Sequence, residues 1–136
     1  MKFKFLSHTA DLKFRVYGKT IEEIFENSSR ALFSSICEEK IKNKKKIKIK
    51  VSGKDYLNLL YNFLEELLFL IDSKDFFVSE FLSLSINKKN LSLSAEIVGD
   101  SGKNYCVHSQ IKAVTYNNMF LKKYGKRWIA QVVLDV

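Results

Sequence analysis

From Leu12 to Gly18, the apolar Leu12, Phe14 and Val16 alternate with Lys13, Arg15 and Tyr17, the period of two of a half-buried strand closing on a glycine turn. Thr20-Ile21-Glu22-Glu23 follows as a capping box, in which the Thr20 hydroxyl accepts from an orphan helix N–H while Glu23 reaches back. A helix is predicted from there to about Ile36, with Ile21, Ile24, Phe25, Ala31 and Leu32 on one face and Glu22, Glu26 and Arg30 on the other. From Lys44 the period returns to two, Lys46, Lys48 and Lys50 alternating with Ile47, Ile49 and Val51 before Ser52-Gly53 closes the strand. Asp55 is placed to cap a second helix reaching about Asp72, mostly buried, with Asn58, Asn62 and Glu65 as its polar stripe. Phe69 falls inside that stripe by angle, and coverage by a loop is expected ahead of a partner contact.

The remainder reads as strands over Phe76 to Ile86, Leu91 to Val98, Asn104 to Tyr116, Met119 to Tyr124 and Arg127 to Leu134, separated by turns rich in Asn, Gly and Asp. Two helices among antiparallel strands predict an α+β fold, a two-layer sandwich with a mainly antiparallel sheet. No linker or internal repeat interrupts the chain, and residues 1–136 are expected to form one domain.

Composition supports a packed core: 46% of the residues are hydrophobic, and eleven Phe and six Tyr supply large side chains whose burial offsets ordering entropy. The start carries no long apolar run after its charges, and Leu57 to Ile71 is interrupted by Asn62, Glu65 and Glu66, so neither a signal peptide nor a membrane span fits. Cys37 and Cys106 lack a close pairing motif, so reduced thiols and a cytoplasmic location are expected. The formal charge of +8 permits an anionic partner such as RNA, and it equally fits a base-composition bias that also explains the absence of proline. Lysines 40 to 50 suit a phosphate surface or, more simply, an edge strand guarded against pairing with another chain; no aromatic is interleaved there for bases to stack on.

His8-Thr9-Ala10-Asp11 precedes the first clear strand, and Asp135-Val136 follows the last, whose alternation marks both of its faces as covered. If those strands are neighbours, Asp11, Asp135 and the terminal carboxylate of Val136 converge. Two bare carboxylates about 4 Å apart repel by roughly 4 kcal/mol at an effective dielectric of 20. Such a cluster needs a proton, a basic side chain or a metal. Oxygen-only donors favour Ca²⁺, Mg²⁺ or Mn²⁺ over zinc, and the alternative is a strand end facing solvent. Cys106 and His108 would share a strand face as a nucleophile and base, and His8, His108 and the two cysteines could be imagined around zinc, but neither set has a supporting third group or ligand spacing. No Gly-rich phosphate loop, G-x-S-x-G or H-E-x-x-H occurs.

Taken in order, His8-Thr9-Ala10-Asp11, the Phe25 to Phe33 helix, Asp55 with Leu59-Leu60, Phe63-Leu64-Glu65-Glu66-Leu67-Leu68, Lys112-Ala113-Val114-Thr115-Tyr116 and Trp128 to Asp135 resemble the archease family over nearly the whole chain. The resemblance implies a non-catalytic accessory protein for the RtcB-type RNA ligase of tRNA splicing and RNA repair, promoting nucleotidylation of the ligase histidine by GTP and repeated turnover. It implies a divalent metal, calcium foremost, at Asp11, Asp135 and Val136. Lys112 matches the family's strand lysine, positioned to balance charge or to reach a nucleotide phosphate, and Glu66 fits the family's second-helix pattern as a residue behind the metal ligands or a contact residue, with a solvated helix carboxylate as the simpler alternative. Lys13, Phe63 and Asn117 depart from the family's usual glycine, tryptophan and histidine, and none of the three is a proposed ligand. A basic RNA-binding module acting without a ligase is the competing expectation, and a metal-assisted hydrolase using the two aspartates ranks behind it.

Overall fold

The structure, a computed structural model, describes residues 2–6 and 11–136. Its elements are β1 (Phe3–Leu6), β2 (Leu12–Gly18), α1 (Ile21–Ile36), β3 (Lys45–Ser52), α2 (Tyr56–Lys74), β4 (Phe76–Asn87), β5 (Ser92–Ser101), a 3₁₀ turn (Gly102–Asn104), β6 (Ala113–Tyr124) and β7 (Arg127–Asp135). The strands form two antiparallel sheets, a four-stranded one in the order β1-β2-β7-β6 and a three-stranded one in the order β3-β5-β4. This is the α+β class that two capped helices among alternating strands predict.

Both helices start where the sequence places their caps. The Glu23 N–H donates to Thr20 Oγ1 at 3.2 Å while Glu23 Oε2 accepts from the Lys19 N–H at 2.8 Å, and the Asn58 N–H donates to Asp55 Oδ1 at 2.7 Å. α2 ends on Asp75, which takes the left-handed conformation with φ 51° and returns its N–H to the last turn.

α1 packs on β1, β2 and β7 of one sheet and on β4 of the other, and α2 packs on β6 of the first and on all three strands of the second. Helices held against both sheets are buried over most of their circumference, and α1 accordingly buries Asn27, Ser28, Ser29 and Ser35 beside its apolar residues. Three of these polar groups are satisfied by backbone carbonyls: Ser28 Oγ donates to the Ile24 carbonyl and Ser35 Oγ to the Leu32 carbonyl within α1, and Asn27 Nδ2 donates to the Tyr17 carbonyl of β2. Phe25 meets Phe63 edge-on at 5.3 Å between the helices, inside a cluster that also holds Phe14, Leu32, Leu64, Ile97 and Val132.

Three expectations are corrected. Phe3–Leu6 is a short edge strand that the alternation reading did not assign. The segment expected to be a strand from Asn104 is instead the end of the 3₁₀ turn and an irregular stretch to Lys112, and β6 then runs through Asn117 and Asn118 with a register shift between Thr115 and Phe120. The cause is tertiary. Asp75 accepts from Ser101 Oγ and from the Lys103 N–H, its carbonyl accepts from the Gly102 N–H at 2.7 Å, and the His108 N–H donates to the Ile36 carbonyl, so the chain is drawn onto the ends of both helices. Finally, Phe69 is not covered by the described residues: 56% of it is exposed.

Candidate functional site

The sequence leaves open whether the strands after Asp11 and before Asp135 are neighbours. β2 and β7 pair, with Leu12 opposite Leu134, Phe14 opposite Val132 and Val16 opposite Ala130, all directed into the core. Continued by one residue, this register sets Asp11 level with Asp135. Alternation then turns both carboxylates to the other face, the one that Lys13 and Val133 share. Asp11 is half-buried and Asp135 exposed.

β6 flanks β7 on its other side. Ala113 pairs with Asp135, and the Lys112 N–H donates to the Asp135 carbonyl at 2.7 Å. Asp11, Asp135, Val136 and Lys112 are therefore gathered at one end of the four-stranded sheet. It is the backbone of Lys112 that makes the contact with Asp135; its side chain is exposed. Glu66 is half-buried on α2, which meets this sheet along β6. His8, Thr9 and Ala10 lie outside the described residues.

Two carboxylates level across neighbouring strands form an all-oxygen donor set, to which carbonyl or terminal oxygens at Val136 can add. That set fits a hard divalent cation of the calcium or magnesium class. Among the described residues no three His, Cys, Asp or Glu side chains assemble around one point, as a closed structural zinc site would require.

The model of the Archease protein family (MTH1598/TM1083) matches residues 3–136. The chain belongs to the archease family. An archease of Methanosarcina barkeri is 37% identical over 140 residues, covering 99% of this chain and 96% of the relative. The solution structure of Methanobacterium thermoautotrophicum protein 1598 superposes with a TM-score of 0.84 at 28% identity, covering 98% of each chain. A Thermotoga maritima archease, described as a possible chaperone, shares the fold at a TM-score of 0.67 and 19% identity, covering 98% of this chain and 96% of that one. Among the described residues of this archease no helix is long and apolar enough to cross a membrane.

Other polar candidates take different roles from those the sequence suggested. Cys106 and His108 are both exposed in the irregular stretch, so the strand face they were expected to share does not exist. Nearby, Asp100 is buried, and its carboxylate accepts from the Tyr105 hydroxyl at 2.8 Å, the Ser101 N–H at 2.8 Å and the Asn104 amide at 3.3 Å. The Tyr105 hydrogen bond, helped by the Ser101 and Asn104 donors and the charge of Lys44, holds the Asp100 carboxyl below the usual carboxylate range against the opposing effect of burial. Burial pushes the Tyr105 hydroxyl up, and the Asp100 carboxylate adds to the effect. This group anchors the turn after β5.

An aromatic pair escaped the sequence reading. Tyr61 of α2 stacks on Tyr116 of β6 with centroids 4.1 Å apart and planes within 7°, and Asn58 Nδ2 donates to the Tyr116 hydroxyl at 2.7 Å. Burial raises the pKa of Tyr61, followed by the charge of Glu65 and the hydrogen bond to it. No sequence signal joins residues so far apart; only the docking of α2 on β6 does.

Proposed function

We propose that this archease is a non-catalytic accessory protein of the cytoplasm that binds a divalent cation, calcium foremost, and activates an RtcB-type RNA ligase in tRNA splicing and RNA repair. Family membership supports the activator reading, and the β2–β7 register that brings Asp11 and Asp135 level is the observation that carries the site. Asp11 and Asp135 would supply carboxylate oxygens and Val136 a backbone or terminal oxygen. The bound ion would neutralise the carboxylates and give that end of the sheet a positive character.

The chain's own residues prepare this arrangement. The ladder between β2 and β7 fixes the spacing of the two aspartates, and the Lys112 N–H holds the Asp135 backbone from the other side. The exposed Lys112 ammonium would meet a phosphate of the ligase-bound nucleotide, and Glu66, on the adjoining helix, would be a contact to the ligase. Docking of this end beside the ligase's nucleotide site favours the state in which the ligase histidine is guanylylated, and so permits repeated turnover.

The test is RNA ligation by the cognate ligase present in substoichiometric amount. Wild-type protein is expected to convert a single round into many, and folded Asp11→Ala and Asp135→Ala variants to leave the ligase at one. Full stimulation by a folded variant refutes the site, and failure of the wild type refutes the activator role.

A further inference from the structure

The face of the four-stranded sheet turned away from the helices is built in rows by the strand registers. One row across the sheet is Lys4, Arg15, Gln131 and Phe120. The next is Tyr17, Ile129 and Lys122, and beyond it Arg127 pairs with Tyr124. Toward the opposite end come Leu6, Lys13, Val133 and Thr115, and then Asp135 beside Ala113. Rows are separated by two residues, roughly 6.8 Å. Lys4, Lys13, Arg15, Lys122 and Arg127 therefore share a surface on which Asp135, at its far end, is the one carboxylate carried by the four strands, while Glu23 and Glu26 of α1 border it beside Tyr17 and Arg127.

Aromatic rings are set among these cations. Lys122 Nζ lies 4.7 Å from the centre of the Phe120 ring and 5.5 Å from that of Tyr124, and Arg15 Cζ lies 5.7 Å from the Phe120 ring. Arg15 is held in place by its Nε, which donates to Gln131 Oε1 at 2.9 Å. Tyr124 is 64% exposed, and Lys4, Lys122 and Arg127 are exposed with it. The other lysine-rich surface differs. On the outer face of the three-stranded sheet, Lys48 and Lys50 lie beside Glu96, Ser94, Ser83 and Ser85, with no ring in those rows.

Cations alone would suit any anionic surface. Gln131 and Val133 in the middle of the rows are buried, and the exposed part is the end that carries Lys4, Lys122, Tyr124 and Arg127. Cations interleaved with rings there suit a chain that presents a phosphate and a flat π face at each unit. Single-stranded RNA does so and duplex RNA does not, because its bases are stacked inside. We propose that this sheet face binds single-stranded RNA directly and without sequence preference. Tyr124 and Phe120 stack on bases, and Lys4, Arg15, Lys122 and Arg127 meet the backbone. This goes beyond activation of a ligase, since it requires neither the ligase nor a metal.

The experiment is fluorescence anisotropy of a labelled, unstructured RNA of roughly 12 nucleotides, with the full chain alone in EDTA, over a salt series. Each phosphate contact contributes about 0.7 to the slope of log affinity against log salt for a single strand. Joint Lys4→Gln, Lys122→Gln and Arg127→Gln substitution is expected to flatten that slope by about 2. Tyr124→Leu, which changes no charge, is expected to weaken binding roughly fivefold or more at an unchanged slope. Joint Lys46→Gln, Lys48→Gln and Lys50→Gln substitution removes the same charge from the other sheet and is expected to cost far less. Equal losses from the two triple variants would show diffuse attraction and overturn the proposal. A Tyr124→Leu protein that binds like wild type would also overturn it, and absence of RNA binding would end it and point to an acidic protein as the occupant. Because ligase and metal are absent, none of these outcomes depends on the activator reading.

Discussion

Asp135→Asn should abolish the stabilisation of the protein by Ca²⁺. The substitution keeps the shape of an exposed side chain and removes the anionic oxygen that a hard cation prefers. A divalent ion at about a hundred times its Kd adds about 2.7 kcal/mol to the protein that holds it. For a chain of this size that corresponds to a rise in Tm of roughly 10 °C. Scanning calorimetry in EDTA and in excess Ca²⁺ should therefore show the wild type melting clearly higher with metal, and the variant melting at the same temperature in both. Equal Ca²⁺ shifts in the two proteins would refute the assignment of Asp135 as a ligand.

Other consequences of the structure can be measured on the isolated protein. Phe63→Ala empties a fully buried site between Phe25 and Phe81 and should cost about 3–5 kcal/mol in urea unfolding. Thr20→Ala removes the acceptor for the Glu23 N–H and should cost about 1 kcal/mol, with Thr20→Ser restoring most of it. The lowered pKa of Asp100 gives a stabilisation that is complete above the ordinary aspartate value of about 3.9 and is lost as pH falls through the lower folded value, because the unfolded chain then binds more protons. The stability difference between wild type and Asp100→Asn should accordingly shrink as pH is lowered from 7 to 3, and a constant difference would show that Asp100 does not titrate with folding.

Where local physics decides the outcome, the amino-acid sequence alone is enough. Thr20 and Asp55 cap their helices because their short oxygen-bearing side chains can reach the orphan N–H groups of the next turn. The alternation of Leu12 to Gly18 and of Lys46 to Val51 identifies strands because a pleated backbone sends successive side chains to opposite faces. Motif order likewise points to the archease family. Alternation misled at Tyr105 to Lys112, where the pull of Asp75, Asp100 and Ile36 on the turn after β5 outweighs a weak strand preference. Which strands are neighbours could not be read at all, because pairing partners are chosen by how the apolar faces of β2, β7 and the helices bury one another. The level placement of Asp11 and Asp135, the Tyr61–Tyr116 stack and the rows of cations and rings across the outer sheet face all follow from that choice. Residues more than a hundred positions apart, such as Arg15 and Gln131, become partners only when the core closes.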